Sequence, residues 1–167
     1  MYDKGTVVIH PGMGVCEITD YMSQTINNTA RKFYVLKPLF DKNSTTVYVP
    51  VDSDKIILRR PITKEDILNV LKTVDDLDDA WIEDDAERRN TFTEILKSGN
   101  HTEIIRIMGA VYHEKKKRES MGKRLRVSDE HFLEEAQKLI HEELAYTMDL
   151  DIGSVENFII SALGDRA

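Results

Sequence analysis

Cysteine and long apolar runs are both scarce in this chain. Cys16 is the only cysteine among 167 residues, so no intrachain disulfide can form. No apolar stretch approaches the roughly 20 residues that cross a bilayer. The first residues also lack the apolar segment of a secretion signal. We therefore expect a soluble protein of the reducing cytoplasm, with no membrane partner.

The motifs of common enzymes and metal proteins are also missing. The chain has no glycine-rich phosphate loop and no nucleophile-elbow serine, and its five histidines show no ligand pairing. Cys16 lies among apolar neighbours, which favours a small core residue over a nucleophile. In a chain with 30 acidic residues, pairs of carboxylates are expected on solvated faces and at helix caps. We expect no catalytic residues, no cofactor and no metal.

Proline is confined to the first 61 residues, and this separates two parts of the chain. The first part has β-branched and aromatic segments between turn signals, which predict five short strands, over 6–9, 15–18, 32–37, 45–49 and 55–58. Such closely spaced strands predict a small, strongly bent barrel. From Pro61 onward the apolar period becomes helical. We expect an α+β fold, with a β-barrel domain over residues 1–60 and a compact all-α domain over residues 61–167.

Several helix boundaries can be read in the second part. Gly99 is expected to end one helix, and Asn100 with Glu103 has the spacing of a capping box that opens the next. That helix is expected to bury Ile104, Ile105, Met108, Val111 and Tyr112, and to break at Gly122. Ser128 is expected to cap the helix that follows.

Positive charge is concentrated in residues 115–126, which we call the basic elbow. It holds seven of the 23 basic residues in a chain of net charge −7. Such segregation predicts an anion-binding face, for which a phosphate backbone is the commonest partner. The alternative is a solvated connection between two helices with no ligand. The candidate phosphate contacts are Lys115, Lys116, Lys117, Arg118, Lys123, Arg124 and Arg126.

Several further segments occur in a characteristic order. They are GTVVIHPGMG at 5–14, FYVLK at 33–37, TVYVP at 46–50, Trp81, ILKSGN at 95–100, GKRLRVSD at 122–129 and EAQKLIHEELA at 135–145. Together they resemble the CarD-like bacterial transcription regulators over residues 4–158. The resemblance implies a Tudor-like N-terminal domain that binds the β subunit of RNA polymerase. It also implies a helical C-terminal domain that contacts promoter DNA without reading its sequence.

The segment 45–49 is the candidate edge strand for the polymerase. An exposed strand can pair its backbone with a partner sheet, and proline is tolerated at such an edge. The alternation places Val47 and Val49 on one face and Thr46 and Tyr48 on the other. The alternative is that the rest of the protein covers both faces. The candidate polymerase-binding residues are Thr46, Val47, Tyr48, Val49 and Pro50.

Trp81 is the most specific single candidate for a DNA contact. The resemblance implies a tryptophan wedge in the minor groove at the edge of the melted bubble, where an indole can replace lost base stacking. The alternative is a core tryptophan at the start of a helix. Arg88 and Arg89 follow as candidate phosphate contacts. They could offset the acidic residues around the tryptophan, which are Asp78, Asp79, Glu83, Asp84 and Asp85.

The leading hypothesis is therefore a non-catalytic partner of RNA polymerase that contacts the DNA backbone and minor groove and stabilises open promoter complexes. The sequence leaves its oligomeric state open, with a monomer favoured. A second hypothesis is a protein-only adaptor whose basic elbow binds an acidic protein. A third, a small hydrolase acting on nucleic acid, would need a cluster of metal ligands that the sequence does not display.

Overall fold

The structure is a computed structural model that describes residues 1–73 and 80–164. The chain divides into two compact units, Met1–Ile62 and Thr63–Ala167. The first unit is built from strands and the second from helices, which gives the predicted α+β class.

The N-terminal unit is a four-stranded antiparallel sheet. Its strands are β1 (Val7–His10), β2 (Gly14–Ile26), β3 (Thr29–Pro38) and β4 (Val47–Pro50), in the spatial order β1-β2-β3-β4. A register shift between Ile18 and Asp20 of β2 marks a β-bulge, which increases the local twist of the sheet. One face buries a cluster of Val8, Cys16, Ile18, Tyr34, Leu36 and Val49. Cys16 is fully buried there, as predicted for a core residue.

The sheet does not close into the predicted barrel. The segment 55–58, expected to be a fifth strand, forms no strand; one isolated bridge joins Arg59 to Ile9 of β1 instead. Two backbone groups of this segment bond to side chains, one nearby in the chain and one distant. Ser53 Oγ accepts a hydrogen bond from the Ile56 N–H at 3.0 Å, and the Tyr2 hydroxyl donates to the Leu58 carbonyl at 3.2 Å.

The helical unit contains five helices in its described part. They are α1 (Lys64–Thr73), α2 (Asp85–Ser98), α3 (His101–Ser120), α4 (Val127–Met148) and α5 (Val155–Gly164), with a short 3₁₀ turn at Ile152–Ser154 before the last. α3 packs against each of the other four helices and is buried on several sides from Ile104 to Tyr112. All five residues predicted to face inward on α3 are buried. No helix in the described ranges is both long and apolar enough to cross a membrane.

The ends of α2 and α3 follow from local sequence signals. Gly99 ends α2 with a φ of 67°, a left-handed conformation that glycine adopts without strain. The Asn100 side chain accepts a hydrogen bond from the Glu103 N–H at 3.3 Å, which confirms Asn100 as the cap of α3. The second bond of a capping box is replaced, because the Asn100 N–H donates to Ser98 Oγ at 3.2 Å. The break at Gly122 is also confirmed, with a φ of 70°. The predicted cap at Ser128 is wrong: α4 already begins at Val127, because the carbonyl of Arg126 accepts the first helical hydrogen bonds.

Candidate functional site

Strand β4 lies at the edge of the sheet. It pairs with β3 through the register Phe33–Pro50, Tyr34–Val49, Val35–Tyr48 and Leu36–Val47. No other strand in residues 1–73 and 80–164 pairs with its second edge. Four of the five predicted polymerase-binding residues, Val47 to Pro50, form this strand, and Thr46 precedes it.

The backbone direction of β4 follows from one hydrogen bond. The Val51 N–H donates to the Lys32 carbonyl of β3 at 3.0 Å. In an antiparallel ladder every second residue directs its N–H and C=O to the same side. The backbone N–H and C=O groups of Val47 and Val49 therefore point toward β3. Those of Tyr48 point to the opposite side, away from the sheet. Pro50 has no N–H, and its carbonyl accepts from Ser53 at 3.1 Å. Tyr48 is thus the residue of β4 that offers a backbone donor and acceptor to a partner strand.

The side chains of β4 follow the predicted alternation. Val49 is buried in the sheet core and Val47 packs against it, while the Tyr48 side chain is 51% exposed on the opposite face. Thr46 is exposed as well. The edge therefore presents a tyrosine ring beside its free backbone groups, and both features are available to a partner.

In the helical unit, Trp81 lies just before α2 and is partly buried. Its ring contacts Phe92 in an edge-to-face arrangement, with 6.5 Å between the centroids. The guanidinium carbon of Arg88 lies 4.4 Å from the centroid of the indole ring. Asp84 begins α2, because its carboxylate accepts from the Glu87 N–H at 2.8 Å. Trp81 is therefore held between one aromatic and one cationic neighbour, and part of its ring remains accessible.

Arg88 is not an exposed cation, contrary to the sequence-based expectation. Its side chain is 1% exposed, and its guanidinium makes two hydrogen bonds to the Asp129 carboxylate, at 2.8 and 2.9 Å. A third carboxylate bond, at 2.8 Å, goes to Asp85. A buried arginine with such partners has no surface to offer a phosphate, so Arg88 leaves the set of candidate DNA contacts.

Asp85 connects this buried arginine to the basic elbow. Besides its bond to Arg88, Asp85 forms an ion pair with Arg126 of the elbow. The structure therefore brings Trp81, Arg88 and Arg126 into one continuous cluster, although Arg126 lies 38 residues after Arg88 in sequence. Of the acidic residues expected to crowd the tryptophan, Asp84 caps a helix and Asp85 neutralises arginines. Asp78 and Asp79 lie outside the described residues.

The cations of the basic elbow fall into two groups. Lys115, Arg118 and Arg126 have carboxylate partners at Glu156, Glu114 and Asp85, respectively. The other four are exposed and form no ion pair with any described residue; they are Lys116, Lys117, Lys123 and Arg124. Lys115 to Arg118 also occupy the last turns of α3, where positive charge complements the helix dipole. The four unpaired side chains remain free to bind an external anion.

A groove between α2 and α4 opens beside this cluster, with a volume of about 380 Å³. Phe92 and Phe132 pack together at its base, with 4.6 Å between ring centroids. Arg89 and Lys97 lie on its α2 wall, exposed and without an ion pair to any described residue. Arg89 is therefore the candidate phosphate contact of α2 that stays at the surface.

Two features of this cluster were not predicted from the sequence. They are the pairing of Asp129 with Arg88 and the pairing of Asp85 with both Arg88 and Arg126. Asp129 lies three residues after the elbow, and its sequence context predicts only an acidic residue in the first turn of a helix, which is its position on α4. Nothing in the local pattern links it to Arg88, which lies 41 residues earlier. The one sequence feature that pointed to this region was the pair of adjacent arginines. The structure buries the first of them, Arg88, and exposes the second, Arg89.

A second polar cluster lies between α3 and α4 but has a structural explanation. The Tyr112 hydroxyl lies 3.3 Å from His141 Nε2 and accepts from the Gln137 amide at 3.2 Å. Burial raises the pKa of Tyr112 to about 12 and lowers the pKa of His141. Both groups are therefore neutral at pH 7 and act as hydrogen-bonded core residues. Among the described residues, no group of three or more metal-ligating side chains comes together.

Comparison with known families identifies the N-terminal unit. Residues 2–62 match the model of the CarD-like/TRCF RID domain, so this unit is a domain of that family, and the resemblance is confirmed over these residues. The family is a non-catalytic RNA-polymerase-interaction domain. The match indicates a transcription-related, polymerase-binding role. None of the curated proteins searched matches the chain.

Proposed function

We propose that this chain, with its CarD-like/TRCF RID domain, is a transcription regulator that binds the β subunit of RNA polymerase and contacts promoter DNA to stabilise the open complex. The observation that carries the proposal is the family match over residues 2–62. The free edge of β4 supports a strand-pairing mode of binding, because main-chain hydrogen bonds supply affinity when one sheet extends another.

The helical unit would act on DNA from this anchored position. Tethering to polymerase raises its local concentration over the promoter, so weak DNA affinity is sufficient. This suits a part of the chain with 24 acidic and 15 basic residues from Pro61 onward. The four unpaired elbow cations would contact phosphates, and Trp81 would occupy the widened minor groove at the edge of the bubble. The clustering of Trp81 with Arg126 supports the use of both in one interface.

We expect Tyr48→Pro to abolish binding to the polymerase β subunit. Proline removes the backbone N–H that β4 directs away from the sheet, and it leaves the bonds from Val47 and Val49 to β3 in place. Tyr48→Thr is the matched control, because it removes the ring but keeps the N–H and the strand propensity. Binding of the full-length variants to purified β subunit, with circular dichroism to verify folding, measures the effect.

The two variants also separate backbone from side-chain recognition. If Tyr48→Pro folds and binds as well as the original chain, strand pairing at this edge is wrong. If Tyr48→Thr loses as much affinity as Tyr48→Pro, the ring and not the backbone carries the contact.

The logarithm of the binding constant for promoter DNA should fall linearly with the logarithm of the salt concentration. The slope is proportional to the number of phosphates bound. Four unpaired elbow cations correspond to a slope of log K against log salt of roughly −4. Lys123→Gln should make the slope shallower by about 1, similarly for unrelated DNA sequences. The control is Lys138→Gln, since Lys138 lies outside the elbow and pairs with Glu135 at 3.3 Å. Fluorescence anisotropy over a salt series tests this; equal effects of the two substitutions would exclude the elbow as the phosphate-binding surface.

The same salt series distinguishes the adaptor hypothesis from the promoter-binding function. An adaptor that binds an acidic protein through the elbow would show weak DNA binding with a shallow slope, with or without polymerase. A steep slope that is retained in the polymerase complex favours the promoter-binding function.

A further inference from the structure

The guanidinium of Arg88 is bonded at every donor. Besides the three bonds to Asp129 and Asp85, its Nη1 donates to the carbonyls of Ile82 at 2.8 Å and Glu83 at 3.3 Å. Arginine has five N–H donors, and these contacts use all of them. We call this arrangement, Arg88 with its acceptors Asp85, Asp129 and the carbonyls of residues 82 and 83, the arginine clamp.

The clamp holds Trp81 from two directions. The guanidinium lies against the face of the indole, 4.4 Å from its centroid, and also binds the carbonyls of the two residues that follow Trp81 in the chain. Asp129 in turn fixes the guanidinium by accepting two parallel bonds, a geometry that lysine cannot reproduce. Because Arg88 and Asp129 are 1% and 2% exposed, water competes little for these bonds.

We propose that Arg88 is the positioning residue for Trp81. With Asp129 of α4, it fixes the indole in one orientation before DNA arrives. The proposal rests on the proposed function, in which Trp81 acts as the wedge. A preorganised side chain loses less conformational freedom on binding, so more of the contact energy remains available to hold the open complex. Asp85 extends the clamp to Arg126 and so joins the wedge to the basic elbow.

Trp81 reports directly on its own position, because it is the only tryptophan in the chain. In Arg88→Lys and Asp129→Asn the emission maximum should move to longer wavelength and acrylamide quenching should increase. The matched control is Glu143→Gln, which alters another buried carboxylate of α4, 3.1 Å from His101. This control should leave both signals unchanged. Measurements on the full chain well below the unfolding temperature of each variant exclude a contribution from unfolded protein.

The fluorescence result decides the clamp without reference to DNA. Unchanged emission and quenching in both clamp variants would overturn the proposal. The same changes in Glu143→Gln would also overturn it, because the signal would then follow general loss of stability. Two clamp variants are used so that a failure of one to fold does not remove the test.

A double-mutant cycle on open-complex lifetime tests the consequence for function. Arg88→Lys should shorten the lifetime, and adding it to Trp81→Ala should cause no further loss, because a residue that acts through Trp81 has nothing to position once the indole is gone. Additive losses would show that Arg88 contributes independently of Trp81 and would overturn its positioning role. If Trp81→Ala alone leaves the lifetime unchanged, the DNA part of the proposed function fails, and the fluorescence comparison still decides the clamp.

Discussion

Replacing Asp129 with alanine is expected to destabilise the helical unit by about 3–5 kcal/mol, because it leaves the buried charge of Arg88 without its main partner. This is a large part of the 5–15 kcal/mol that typically stabilises a folded domain. Urea unfolding of the full chain, followed by circular dichroism at 222 nm, measures the loss. Glu94→Ala on the exposed face of α2 is the surface control, with an expected change within about 0.5 kcal/mol.

A double replacement shows whether the stability loss in Asp129→Ala comes from the unpaired charge of Arg88 or from the loss of the attraction between the two residues. Arg88→Met combined with Asp129→Leu removes both charges and keeps apolar volume at the site. Because a buried ion pair repays little more than its own desolvation, this double variant should be more stable than Asp129→Ala. A double variant at least as unstable as Asp129→Ala would mean that the hydrogen bonds themselves, including those to residues 82 and 83, hold the unit together.

Trp81→Ala is expected to cost about 2 kcal/mol of stability and to remove open-complex stabilisation, while binding to the polymerase β subunit stays intact. The energy lies between the 0.5 kcal/mol of an exposed side chain and the 3–5 kcal/mol of a fully buried aromatic one. The indole is partly buried and has specific contacts with Phe92 and Arg88. Thermal unfolding, a pull-down with β subunit and a promoter-opening assay measure the three quantities.

Loss of stability alone must not explain the loss of promoter opening. Ile140→Val, at a fully buried position of α4, should cost about 1 kcal/mol and leave opening unchanged at temperatures where the protein is folded. Unchanged opening with Trp81→Ala would remove the tryptophan from the DNA interface. The unpaired elbow cations and Arg89 would then remain as the DNA contacts.

Sequence patterns located the elements that depend on near neighbours. The alternation in residues 45–49 indicated which side chains of β4 face the core, because a strand places successive residues on opposite faces. The helical spacing from Ile104 to Tyr112 located the buried side chains of α3. Gly99 and Asn100 marked a helix end and a helix start, because capping needs only residues within one turn.

The candidate sites depended on pairings between distant residues, which such patterns do not contain. The expected fifth strand does not form, and the Leu58 carbonyl of that segment instead accepts a hydrogen bond from Tyr2, 56 residues away. The direction of the Tyr48 backbone groups follows from the register of β4 on β3. Likewise, which elbow cations remain free depends on the helices that bring Glu156 and Asp85 to Lys115 and Arg126.

The neighbouring residues Arg88 and Arg89 show most clearly the difference between local patterns and long-range pairings. The order of residues is enough to show that two cations follow Trp81 near the start of a helix, in an acidic segment with helical periodicity. The packing of α2 against α4 is what turns Arg88 inward to Asp129, beside the tryptophan, and leaves Arg89 at the surface. The physical reason is that burying an arginine requires a carboxylate in the right place, and that carboxylate comes from a helix 41 residues later in the chain.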